Sequence, residues 1–296
     1  MPGAPVEFVQ TLGDCLVSVG LYFVMGLGFG MVHRAGRFFH LAHGAVFTAG
    51  AYGVYLFVRE LRWPAWAGVP AGLLLASLLG PALWMAVYRP LNRRGAGPLG
   101  LMLSSLGVSI VVQHTISLAF GDANLQVREP FWSETISFGS ALLTRAQAAM
   151  VMFGAVSCAT AALVLRYTRL GLDLRATGDD RALAETVGID VGSVLMRTLF
   201  GASLLASTAG LLAALDTDMR PTMGMQPLLL GVCASMLGGI GELRGLAIAA
   251  GVLGVAQHFG AWWVGIQWSE SFALFVLFVI LAARPQGMRT RGSRAT

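Results

Sequence analysis

The sequence predicts an all-α, polytopic membrane protein of eight to nine transmembrane helices, and three observations carry that expectation. Only 35 of 296 residues are charged, or 12%, against about 25% in soluble domains. The apolar set makes up 56%, with 38 glycines besides, and mean hydropathy is +0.70. A soluble chain of this size could not hide so much apolar surface. The apolar residues also gather in runs of about 20, the length of helix that crosses a hydrocarbon core about 30 Å thick.

Taken in order, the candidate spans are 9–32, 41–58, 65–87, 98–120, 142–165, 193–215, 223–241, 246–264 and 270–283. The first is too long, and too poor in positive charge at its start, for a cleaved signal peptide, so it is expected to stay as an anchor. The 41–58 run is short and begins in a polar, glycine-bearing stretch. The 223–241 run is glycine-rich at its end. Either is expected to be broken or re-entrant, a form tolerated where backbone is buried in protein or lines a cavity.

Arginine placement sets the expected orientation. Arg89, Arg93 and Arg94 fall in the 88–97 loop, Arg166, Arg169, Arg175 and Arg181 in the segment 166–192, and Arg284, Arg289, Arg291 and Arg294 in the tail. By the positive-inside rule these face the cytoplasm. The 121–141 loop (Asp122, Glu129 and Glu134 against Arg128) and the 216–222 loop (Asp216, Asp218, Arg220) read as external. The result is one transmembrane domain over 1–296, N-terminus outside and C-terminus cytoplasmic. Two similarities, Gly44–Gly50 with Gly245–Gly251 and Arg89-Pro90 with Arg284-Pro285, suggest that spans one to three and seven to nine are parallel repeats.

All 20 basic residues are arginine. Without a lysine the chain can form neither a P-loop nor a pyridoxal Schiff base. Any ATP-driven work must come from a partner's ATPase. Cys15, Cys158 and Cys233 lie in apolar runs without CxxC spacing and read as small buried residues. Hydrolase signatures (Ser-His-Asp, HExxH, GxSxG) are missing from the sequence, so an enzyme is not expected.

Three stretches could carry function. In the polar segment 168–190, Ala176, Leu183, Ala184 and Val187 can share one helical face, with Asp179 and Asp180 in an early turn and Gly188 as a stop. Such a helix either docks into a partner's groove or lies on the membrane surface. The stretch Val32–Gly44 holds three of the five histidines. His40 and His43 are spaced i, i+3, but no acidic or Cys ligand lies nearby in sequence, so a polar path, a gate or packing is expected rather than a metal. The run Met236–Gly245 holds four glycines and predicts a helix break or tight turn. Asp14, Gln113, His114, Arg197, Gln257 and His258 are further polar groups within spans.

Five ordered motifs carry a family resemblance from about residue 25 to 288. They are Arg175-Ala176, Asp179-Asp180, Ala184 and Gly188-Ile189-Asp190 in the polar segment; Leu-Gly-Gly-Ile-Gly at 237–241; Gly107-Val-Ser-Ile-Val-Val-Gln113; Tyr88-Arg-Pro-Leu91; and Arg284-Pro-Gln-Gly287. The chain resembles the integral-membrane permeases of branched-chain amino acid ABC importers, the Liv type, which also serve urea, amides and other small solutes. The resemblance implies a permease subunit of the bacterial plasma (inner) membrane, driven by two partner ATPases. It further implies a second, homologous permease and a periplasmic or extracellular solute-binding protein. Cofactors are expected only as ATP on the partners, and no nucleic acid is expected.

The coupling residues implied are Arg175, Ala176, Asp179, Asp180, Ala184, Gly188, Ile189 and Asp190. The pathway residues implied are His40, His43, Gly44, Gln113, Gly238, Gly239, Gly241 and Gln257. The chain departs from the family's pattern at His40-Leu-Ala-His-Gly-Ala45, which keeps His43 and Gly44 but lacks the usual Asn and Glu. It departs again at Leu230 (often Lys) and at Gln257 (often Glu). These departures suggest a solute other than a standard branched-chain amino acid. The alternative is a stand-alone secondary transporter or channel, whose ion site would draw on Asp14, His40 or His43. The lack of a clear intramembrane acid pair counts against it.

Overall fold

A computed structural model describes residues 4–127, 130–138 and 141–283. Arg128, Glu129 and the tail from Arg284, including Arg284-Pro-Gln-Gly287, lie outside the described residues. The chain is a helical bundle, as expected. Its long apolar helices are α1 (Ala4–Gly36), α3 (Ala65–Leu83), α5 (Pro98–Phe120), α7 (Arg145–Tyr167) and α10 (Val191–Asp216), with α12 (Leu243–Val264) and α13 (Ser269–Ala283) completing the set. Helix α3 carries Pro70 and Pro81, whose missing N–H groups leave helical carbonyls unpaired. It passes through a π-helical turn, Trp84–Tyr88, into the short α4 (Arg89–Arg93). Among the described residues, five helices are long and apolar enough to cross a membrane.

Two helices are different. α2 (Ala42–Tyr55) and α11 (Met225–Gly238) have 14 residues each, or about 21 Å at 1.5 Å per residue, short of a 30 Å core. A π-helical turn, Leu56–Glu60, extends α2 at its far end. Both helices follow non-helical chain, 37–41 and 217–224, so both suspected runs are interrupted at their starts. α2 is almost wholly buried and α11 is buried at nine of its 14 residues, which lets their broken backbone exist at membrane depth.

The contacts reveal how the halves correspond. α1 packs along α10, α11 and α12, while α10 packs along α1, α2 and α3. α1 and α10 run antiparallel, with Gly28 beside the Ala202 carbonyl and Gly36 beside Leu195. Exchanging α1-α2-α3 with α10-α11-α12 therefore relates the halves in opposite directions, an inverted repeat. The parallel pairing suggested by Gly44–Gly50 and Gly245–Gly251 does not describe this packing. Those stretches lie on α2 and α12, which occupy different places in the repeat. Small residues recur there because both begin helices that approach a neighbour closely.

The polar segment also differs from expectation. It forms two helices, α8 (Arg169–Asp179) and α9 (Arg181–Thr186), rather than one. Asp180 is extended and accepts a hydrogen bond from the Leu183 N–H at 3.1 Å, so it caps α9. Asp179 ends α8 instead of occupying an early turn. The proposed face is split: Ala184 is buried, while Leu183 and Val187 are 61% and 69% exposed. Gly188 does end the element, at φ +86°, where only glycine is free of strain. Asp190 caps α10, and the Ser193 hydroxyl and amide donating to it hold its carboxyl below the usual range.

The 121–141 loop is not wholly irregular. It contains a helical turn, α6 (Pro130–Ser133), and a hairpin of β1 (Thr135–Phe138) and β2 (Ala141–Thr144), with Thr135 opposite Thr144. Thr144 then caps α7 reciprocally with Gln147. A backbone bridge from Leu125 to Met219 joins this loop to 217–224. His114 and Arg197, expected within spans, are exposed on the single chain.

Candidate translocation and coupling site

The interrupted helices meet at their N-terminal ends. Gly224, just before α11, lies against the Gly44 carbonyl at the start of α2, and a Cβ on either would strike the other's backbone. Their leading amides are satisfied by side chains. The Gly224 N–H donates to Thr48 Oγ1 at 3.1 Å, and the Ala42 N–H to Ser105 Oγ on α5 at 2.9 Å. His43 packs on Gly28, which faces Ala202. Ala202 is 11 residues into α10, or about 17 Å along it, so the meeting point lies deep in the bundle.

Gly44, Thr48, Ser109, Gln113, Thr222 and Met225 line a narrow cavity of ≈ 20 Å³ here. That is room for about one water, so an amino-acid-sized solute would need the helices to move apart. His40 and His43 are fully buried beside it. His40 Nδ1 and the Tyr88 hydroxyl share a hydrogen bond of 3.1 Å. His40 Nε2 and both ring nitrogens of His43 have no partner among the described residues. No group of three or more metal-ligating side chains gathers among those residues.

A larger cavity of ≈ 880 Å³ opens toward the end carrying the 216–222 loop, and it shares Thr222 and Met225 with the narrow one. Asp216, Asp218, Glu270 and Arg220 supply its charges. The carboxylates accept from neutral donors: Asp216 from Thr144 and Gln147, Asp218 from Gln126 at 2.9 Å, and Glu270 from Gln226 at 2.7 Å. The sequence signal for this site was two acids followed by an arginine in a short loop. It carried no hint that Glu270, 50 residues on, joins them.

At the arginine-rich end, α8 is fastened to α1. Arg34 donates to Asp179 Oδ1 at 3.1 Å and to the Gly241 carbonyl at 3.4 Å. Arg37 donates to the Gly178 and Asp179 carbonyls at 3.2 and 3.1 Å, the orphan acceptors at the end of α8. Arg37 holds φ +53°, an uncommon conformation for a side-chain-bearing residue. These two arginines thus join α1, the polar segment and the 239–242 turn, a role that the sequence did not reveal. We expect Asp179→Arg to depress ATP-driven uptake, and Arg34→Asp to restore part of it when added. Arg34 is 25% exposed but Asp179 is 75% exposed, so solvent screens the pair and stability should change by under about 1 kcal/mol. A double-mutant cycle on uptake checks the coupling.

The expected pathway residues therefore fall in three places. His40, His43, Gly44 and Gln113 come together at the helix meeting point. Gly238 packs on Gly245 in the α11–α12 turn, and Gly239 and Gly241 line a separate cavity beside Arg34. Gln257 accepts a hydrogen bond from the Tyr22 hydroxyl and, with His258 bonded to Ser18 at 2.8 Å, ties α12 to α1. Of the expected coupling residues, Asp179, Asp180, Gly188 and Asp190 are occupied in shaping the segment, and Arg175 lines the cavity beside Arg34.

Residues 11–282 match the family described as branched-chain amino acid transport system / permease component. The chain belongs to this permease family. The permease is 26% identical to the high-affinity branched-chain amino acid transport system permease protein LivH of Salmonella typhimurium, over 96% of both chains. It is 27% identical to the corresponding protein BraD of Pseudomonas aeruginosa, again over 96% of both. A probable branched-chain amino acid permease of Methanocaldococcus jannaschii is 20% identical over 94% of this chain. No solved structure matches the permease.

Proposed function

We propose that the permease is the membrane-spanning subunit of an ATP-driven importer for a branched-chain amino acid or a related small polar solute. The observation that carries this reading is that the ≈ 880 Å³ cavity and the narrow cavity at the helix meeting point adjoin, sharing Thr222 and Met225 in their linings. In it, solute enters from the acid-bearing end, held outside the cell, and passes His40, His43, Gly44 and Gln113. Asp216, Asp218 and Glu270 with Arg220 offer both charges that a zwitterion needs. The departures at Ala45, Leu230 and Gln257 then shift where an ammonium is met. The names of the LivH and BraD relatives support this solute class.

The arginine-rich end faces the cytoplasm, so the N-terminus is outside and the C-terminus inside a bacterial inner membrane. There α9 docks one of the two partner ATPase subunits, and the arginine clamp passes its movement to α1 and the α11–α12 turn. A second homologous permease completes the pathway, a solute-binding protein delivers the solute, and the chain itself holds no cofactor. The whole of 1–296 acts as one membrane domain.

The test is uptake by proteoliposomes holding the permease with its second permease, ATPase and binding protein. Uptake should require ATP and all components, and competition by leucine would place the solute among the branched-chain amino acids, against what the departures at Ala45, Leu230 and Gln257 suggest. Uptake by the permease alone, driven by an ion gradient, would establish the secondary transporter instead. A binding protein that takes urea or an amide and ignores leucine would move the solute class.

A further inference from the structure

We propose that the cavity of ≈ 480 Å³ at the arginine-rich end binds the headgroup of an anionic phospholipid from the adjoining leaflet. Four arginines line it: Arg34 from α1, Arg166 from the end of α7, Arg175 from α8 and Arg244 from the first turn of α12. Arg34 is neutralised by Asp179. Arg166, Arg175 and Arg244 have no carboxylate partner among the described residues, and Glu242 is the one acid in the lining. The excess is positive, and it converges from α7 and α8, which are joined at Thr168, and from the distant α12.

The remaining lining gives the ligand its second property. Leu27, Met31, Ala162, Leu165, Leu174 and Leu246 make an apolar floor. Gly26 and Gly30 widen it on the α1 side. A free inorganic anion has no use for such a floor, whereas a phospholipid carries acyl carbon directly beneath its phosphate. α7 forms one wall, and its Met152, Val156 and Leu163 are exposed apolar residues that face acyl chains in a bilayer. The cavity therefore borders lipid at headgroup depth, where basic pockets between helices take anionic headgroups.

Ordinary positive-inside bias does not explain this arrangement. Arg93 and Arg94 share the same end and, like Arg166 and Arg244, are exposed, but they do not line this cavity. A phosphate held by Arg166, Arg175 and Arg244 would bridge α7, α8 and α12, with Gly239 and Gly241 of the α11–α12 turn in the same lining. It would brace the segment that the arginine clamp also holds, making transport responsive to the lipid. The inference rests on the proposed placement of this end at the cytoplasmic leaflet. Binding can be read without transport, so the two ideas can fail separately.

The experiment titrates phosphatidylglycerol onto the intact transporter complex in mild detergent and counts bound lipid by native mass spectrometry. Phosphatidylcholine serves as the neutral control. Each arginine beside an anionic headgroup contributes about fivefold in affinity, so Arg166→Gln with Arg244→Gln should weaken binding about 25-fold. Arg93→Gln with Arg94→Gln should leave it unchanged. If the first double variant does not assemble, Arg166→Gln alone should weaken it about fivefold. Equal losses in both pairs, or no loss in either, would overturn the proposal in favour of a diffuse basic surface. Displacement of the lipid by millimolar inorganic phosphate would overturn it in favour of a soluble anion. Altered uptake with unchanged lipid binding would make the cavity the inner mouth of the solute path.

Discussion

Gly224→Val should abolish uptake and sharply reduce the folded protein recovered from membranes. A Cβ at Gly224 would overlap the Gly44 carbonyl and come within 2.8 Å of Thr48 Oγ1, and one at Gly44 would come within 2.8 Å of the Gly224 carbonyl. The obstacle is backbone on both sides, so rotamer changes cannot relieve it. The helices would have to separate, breaking the bond from the Gly224 N–H to Thr48. Overpacking of a core costs about 1–3 kcal/mol, and loss of that buried hydrogen bond about 1–3 kcal/mol more. Gly251→Val is the control: nothing lies within 4 Å of the Cβ it would add, so recovery should stay near wild type. Size-exclusion profiles of tagged protein, with melting temperatures, check both. Normal recovery of Gly224→Val would show that α2 and α11 do not meet as described.

Leu183→Glu combined with Val187→Glu should disconnect the permease from its ATPase while leaving the membrane bundle folded. Both side chains are more than half exposed, on or just after a helix whose inward contact is Ala184. Buried in a partner's groove, each contributes about 1.5–3 kcal/mol, so replacing both by carboxylates should weaken ATPase retention at least 100-fold, that is by about 3 kcal/mol or more. Co-purification of the ATPase should fall accordingly, with melting temperature unchanged. Intact co-purification and uptake would remove α9 as the docking element. This pair discriminates better than Gly188→Pro. Proline cannot adopt the positive φ at 188, so that variant disturbs the junction with α10 as well as any docking.

Both cases mark how far the sequence could be read. Residues 183 and 187 were visible as apolar positions in a polar segment. Their separation from Ala184 was not, because it depends on Asp180 turning back to cap α9, a choice between one long helix and two short ones. Gly44 was visible as a retained motif glycine, and Gly224 only as one small residue among many, 180 positions away. Nothing local says that two glycines face each other.

The sequence by itself determined the bundle's helical, membrane character, the two interrupted runs and the permease resemblance. These depend on hydropathy, on breakers and on motif spacing, which act within a few turns of chain. Only the tertiary structure decided which helices are equivalent, that the halves are inverted, and that Arg34 and Arg37 fasten α1 to α8. It also decided which charged residues gather around each cavity. Such facts depend on surfaces meeting across long loops. In an apolar bundle, where most helix faces are equally hydrophobic, small residues and a few buried polar partners select the pairing, and their effect is set by where the rest of the fold puts them.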